Sequence, residues 1–197
     1  MGCDLAKNAV VVVAPEEAEE SGAEFSDTQI DTIRSTWPLL ARDIVRVGVE
    51  VFTRIFRETP SVRSLFDSFG INDIDNLHHH QLFCEHAQKF MHVLETLVEN
   101  LEHPEMIQPS LVALGARHAA VEGYHPEYFR FYSKCMLEVW EMELGEEFIA
   151  EVRDCWTRLI NYIVRWMGHG YHISVTDQLD AFVNKEGNMD AIITEKT

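Results

Sequence analysis

The sequence predicts an all-α fold on three observations. Apolar residues recur at three- and four-residue spacing through the long segments between Ser26 and Tyr171. Strand signals are nearly absent, with no hairpin dipeptide between alternating runs. "SDTQ" at Ser26–Gln29 is a capping box, in which the Ser26 hydroxyl and Gln29 side chain satisfy the first free amides of a helix.

Each element follows in order. After the capping box, Ile30, Ile33, Trp37 and Leu40 keep helical spacing, and Pro38 is expected to kink or end that helix near Trp37. A second helix carries Ile44, Val45, Val51, Phe52, Ile55 and Phe56 and stops near "ETPSV", where Pro60 begins a short turn. "SLFDSFGINDIDN" is a turn-rich corner with Phe66 and Phe69. A long helix is expected at about 77–101, with Phe83, Phe90, Val93, Leu94 and Leu97 on its apolar stripe. Pro104 and Pro109 bracket a connection to a short helix carrying Leu111, Leu114 and His118. "GYHPEYF" starts another at Pro126, which ends by Gly145. The last long helix carries Phe148 to Met167 and is expected to stop at "GHGY".

The boundaries drawn are an arm at 1–25, a helical domain at 26–171 and a flexible tail at 172–197. A chain of 197 residues suits one domain, and a hydrophobic content of 46% is enough for a sizeable core. Net charge is −17, from 33 acidic against 16 basic residues, which argues against a nucleic-acid partner. The longest apolar run, "AVVVVA" at Ala9–Ala14, is too short to span a bilayer, and acidic residues follow it directly, so no secretory signal is read. Cys3, Cys84, Cys135 and Cys155 lack CxxC spacing, which suits a reducing cytosol and gives no zinc signature. Cys135 and Cys155 each lie ten residues from Gly145, at similar heights on an expected helical hairpin, either bridged or as two free thiols.

Two ionisable residues stand where leucines are expected. His118 follows Leu111 and Leu114 on one helical face, and His86 lies three after Phe83 and four before Phe90. Each alone reads as a satisfied core histidine or as a ligand. Two imidazoles brought to one apolar pocket need a common partner. Neutral imidazole is a good iron ligand, and an apolar pocket suits a flat apolar macrocycle. "HHH" at His78–His80 reads as a solvated loop or helix start. The alternative is a surface metal site with Cys84, but consecutive histidines on a helix diverge by about 100° each and do not converge on one ion.

Over about 145 residues, Ser26 to Gly170, the chain resembles a globin. Six landmarks carry the likeness in order: Trp37, "VFTRIFRETP", "SLFDSF", "EHAQKFMHVLETLV", "LGARH" and "DCWTRLINYIVRWM". In character it is similar to neuroglobin, globin X and the neuronal globins of invertebrates. The resemblance implies haem b as cofactor. It implies that His118 is the proximal iron ligand, His86 the distal histidine, Phe66 the corner phenylalanine stacked on the porphyrin, Phe52 a distal wall residue and Lys89 a partner of a haem propionate. Phe90 departs from the family pattern, where a smaller aliphatic residue is usual, and is expected to crowd the sixth coordination site.

The start "MGCDLAKN" places Gly2 before Cys3, the arrangement for a myristoyl plus a palmitoyl chain, although Ala6 stands where that motif asks for Ser or Thr. The expectation is therefore a cytoplasmic protein, at the cytoplasmic face of the plasma membrane if acylated, and a monomer or dimer. By resemblance its function is reversible binding of a small ligand such as oxygen or another diatomic gas, in redox or gas sensing, with a reductant as partner and with both histidines on the iron. The rivals are an oxygen carrier with an open sixth site, a haem redox enzyme (nitrite reductase, nitric-oxide dioxygenase or peroxidase-like), and a sensor of the same fold that binds no haem.

Overall fold

Seven α-helices joined by short turns make up the architecture, in a computed structural model that describes residues 24–71 and 73–194. They are α1 (Asp27–Leu40), α2 (Ile44–Glu58), α3 (Pro60–Ser64), α4 (Gln81–Glu99), α5 (Gln108–Ala119), α6 (Tyr128–Leu144) and α7 (Ala150–Thr194). Among the described residues no strand occurs, so the expected all-α class holds. Gly2 and Cys3 lie outside the described residues.

The capping box forms as read: the Ser26 hydroxyl accepts from the Gln29 amide, and the Gln29 side chain accepts from the Ser26 amide. Pro38 does not end α1, which runs on to Leu40. A proline this close to the C-terminus removes a single interior hydrogen bond. Trp37 and Leu40 are both buried, and their packing holds the last turn in place. The expected helix at 77–101 is interrupted. Leu77–His79 forms a single 3₁₀ turn, and His80 then caps α4 by accepting from the Phe83 amide. His78 and His79 are exposed.

The core is built where the helices cross. Trp156 on α7 stacks edge-on against Trp140 of α6 and donates its ring N–H to the Thr36 hydroxyl of α1 at 3.0 Å. Full burial of a large side chain of this kind contributes on the order of 2–3 kcal/mol. Arg46 and Arg54 of α2 pair with Glu143 and Glu138 of α6, fixing those two helices side by side.

Two glycines let α5 sit directly on α7. A Cβ at Gly115 would lie 1.9 Å from the Met167 carbonyl oxygen, and one at Gly170 would lie 1.9 Å from the Val112 carbonyl oxygen. Only glycine at both places lets the backbones meet. This corrects the expected stop at "GHGY": Gly170 is a packing residue inside α7, which continues to Thr194. A second correction concerns the end of the arm. Phe25 is buried against Tyr162, and Arg158 and Arg165 of α7 bond to Glu24, so these two residues belong to the fold.

The two hairpin cysteines do not face each other. Cys84, Cys135 and Cys155 are all free. The Cys135 thiol sits beside Glu58 and Glu138, whereas Cys155 is beside Thr32. Equal distance from a turn sets height along a helix, not the direction a side chain takes.

Candidate functional site

α4 and α5 each contribute one histidine to a cavity of about 730 Å³. Its lining includes all six residues singled out from the sequence: His118, His86, Phe66, Phe52, Phe90 and Lys89. α4 presents His86 and Phe90 on one face because they are four residues apart. α5 presents Leu111, Leu114 and His118 in the same way, and its seat on α7 through Gly115 fixes that face.

The aromatic rings around the cavity fall into two separate walls. On one side Phe52 is the hub, with ring centroids 5.2 Å from His86, 5.2 Å from Phe90, 5.8 Å from Phe66 and 5.7 Å from Tyr132. On the other side His118 lies 5.0 Å from Tyr124 and 6.0 Å from Phe129. Among the described residues no ring pair joins the two walls. Each wall carries one imidazole, with an open slot between them.

Both imidazoles are held neutral. Burial pushes the His86 ring down to about 4, helped by His118 across the cavity and by the Lys89 ammonium. Burial also lowers His118, opposed by its bond to the Leu114 carbonyl and helped by Arg117. The two rings are half-buried by surface area because they face the cavity. The Nδ1 of His118 is 2.8 Å from the Leu114 carbonyl oxygen. A carbonyl can only accept, so Nδ1 carries the proton and Nε2 keeps its lone pair. Among the described residues no hydrogen bond holds the His86 ring.

At the edge of the cavity stand Lys89 of α4 and Arg117 of α5, both exposed. Neither is in an ion pair among the described residues, in a chain of net charge −17. Two free cations on one rim suit an anionic group at the edge of whatever fills the slot.

Residues 49–167 match the sequence profile of the globin family, well over half of the chain. The chain is a globin. Its relatives include cytoglobin-2 of Oryzias latipes, 32% identical over 146 residues, covering 74% of this globin and 82% of that protein. Neuroglobin of Dissostichus mawsoni is 27% identical over 158 residues, covering 80% and 99% of the two chains. A solved structure described as a hexacoordinated heme protein from an anhydrobiotic tardigrade superposes with a TM-score of 0.70, over 75% of this globin and 96% of that chain. At 19% identity that likeness is one of fold.

The sequence reading missed Arg117 and Tyr132. Arg117 stands beside His118 and is exposed, which in sequence looks like any surface cation. Tyr132 occupies an apolar position of α6 and reads as core. Its resemblance to the other stripe residues conceals that it opens onto the cavity.

Proposed function

We propose that this globin holds haem b in the slot between α4 and α5 and binds a diatomic gas there reversibly, in redox or gas sensing. The observation that carries the proposal is the pair of neutral imidazoles, one on each wall, with the Nε2 lone pair of His118 left free by the Leu114 bond. The donor set fits the group. Two imidazole nitrogens suit iron, the apolar walls suit the faces of a porphyrin, and Lys89 and Arg117 suit its carboxylates. When bound, haem supplies an iron centre that takes a small ligand and changes redox state.

In this reading His118 is the standing ligand, oriented by its own helix. His86, on the opposite wall, would be the second nitrogen donor, and its ring would have to move aside to admit a ligand. Apparent affinity then falls by the fraction of molecules in which His86 has left. Phe52 packs against the His86 ring and Phe90 packs against Phe52, and the two exclude water and narrow the space into which a ligand comes. A reductant as partner, and acylation of Gly2 and Cys3 at the cytoplasmic face of a membrane, belong to the same proposal. The acylation is supported by the "MGC" start alone, and intact-mass measurement of protein from a eukaryotic host tests it. Among the described residues no helix is long and apolar enough to cross a membrane.

The absorption spectrum of purified protein tests the main proposal. An intense Soret band, with split visible bands in the ferrous ligand-free state, is the expected result. Absence of a Soret band after incubation with haemin would reject haem binding. A spectrum with an open sixth site would instead favour an oxygen carrier.

A further inference from the structure

Tyr132 is the one polar residue besides His86 on the ring wall around Phe52. It lies 5.7 Å from Phe52 and 6.4 Å from Phe90, ring to ring, and its residue lines the cavity. By surface area it is half-buried, as one of the residues that line the cavity. Among the described residues no group accepts from or donates to its hydroxyl. A buried phenol is normally paired, and one left without a protein partner inside a cavity points to a partner in the cavity.

We propose that Tyr132 donates its phenolic O–H to the ligand bound in this cavity, and so selects ligands with a hydrogen-bond-accepting oxygen, dioxygen above all, over carbon monoxide. The inference rests on the haem reading given above. It follows from what ligand entry does to the wall. If His86 swings aside to admit a ligand, its N–H leaves with it. The rings that remain on that wall, Phe52, Phe66, Phe69 and Phe90, have no donor. Tyr132 stays, clamped between Phe52 and Phe90 on a different helix. Burial raises its hydroxyl well above the ordinary phenol range, so the donor proton is present at any physiological pH. Tyr124 also lines the cavity with an unpaired hydroxyl, but it stands on the other wall beside His118, so it does not face the side from which His86 would withdraw.

Tyr132→Phe removes the hydroxyl and keeps the ring. In the ferrous haem-loaded full chain, dioxygen dissociation is expected to speed up roughly tenfold, the size of one hydrogen bond, while carbon monoxide dissociation changes less than about twofold. The C–O stretching band of the carbonyl form should shift to higher frequency. The thermal midpoint of the haem-free chain should stay the same or rise, since no protein bond is lost. Equal changes for the two gases, no change for either, or a fall in the midpoint by several degrees would each overturn the role given to Tyr132. Failure of the chain to take up haem at all would instead count against the proposed function, and the Soret band separates the two cases before any gas is added.

Discussion

The Nδ1 of His118 lies 2.8 Å from the carbonyl oxygen of Leu114, one turn back on its own helix, whereas the His86 ring across the cavity has no such tether among the described residues. The two histidines therefore differ in freedom. One ring is oriented by the backbone and keeps its Nε2 lone pair free. The other is held by the packing of Phe52, Phe66, Phe69 and Phe83 against it. In a site with two candidate ligands, the untethered one is the one that yields.

His86→Leu should accordingly open the site. Carbon monoxide binding to the ferrous protein is expected to become faster by at least about tenfold, because the step in which the ring moves away disappears. Stopped-flow mixing over a range of carbon monoxide concentrations measures it. Rates equal to wild type would remove His86 from the sixth position.

Gly115→Ala tests how α5 is seated. The added methyl carbon would lie 1.9 Å from a backbone oxygen of α7, which cannot rotate away as a side chain would. The helices must separate, at a cost of about 1–3 kcal/mol or more, well above the roughly 1 kcal/mol that alanine gains in helix propensity. Because His118 is on the same helix three residues on, the Soret maximum should move as well. Denaturant unfolding and a spectrum check both, and a variant as stable as wild type would mean that the crossing is looser than described.

The pair of Arg46 with Glu143 predicts a pH dependence. The guanidinium holds the Glu143 carboxyl below its ordinary range. A carboxylate whose native pKa lies below its unfolded one contributes stability above the unfolded value, near 4.5, and loses it as pH falls through the native value. Arg46 is half exposed, so solvent screening keeps the contribution below about 1 kcal/mol. Glu143→Gln should be less stable than wild type at pH 7, and the gap should close below pH 4. A gap that is constant with pH would show that packing of the side chain, not its charge, is what the substitution disturbs.

Much of this molecule is legible in its sequence. His86 and His118 announce themselves because a basic ring breaks an apolar stripe, and the spacing of those stripes places each on the inner face of its helix. Phe52, Phe66, Phe90 and Lys89 followed from the globin landmarks, and all line the cavity. The misreadings share a physical cause. Gly170 reads as punctuation because glycine lowers helix propensity, and nothing local shows that a second backbone lies against it. Pro38 reads as a kink or an end because the packing of Trp37 and Leu40 on either side of it is tertiary. Tyr132 and Cys135 lie three residues apart on α6, yet one opens on the cavity and the other is buried beside Glu58 and Glu138. Periodicity gives the face of a helix, and only the packed neighbours give what that face meets.

If His118 holds the iron, as proposed, haem retention should depend on it, and His118→Ala is the decisive variant. Alanine removes the ring donor to the Leu114 carbonyl and leaves the α5 side of the slot without a nitrogen ligand, while His86, Lys89 and the aromatic walls stay in place. Wild-type and variant chains are loaded with haemin, passed through a desalting column, and compared by the ratio of Soret to protein absorbance and by band positions. The account predicts that the variant loses most of its haem, or keeps it with a clearly altered spectrum. Equal haem content with an unchanged spectrum would contradict it.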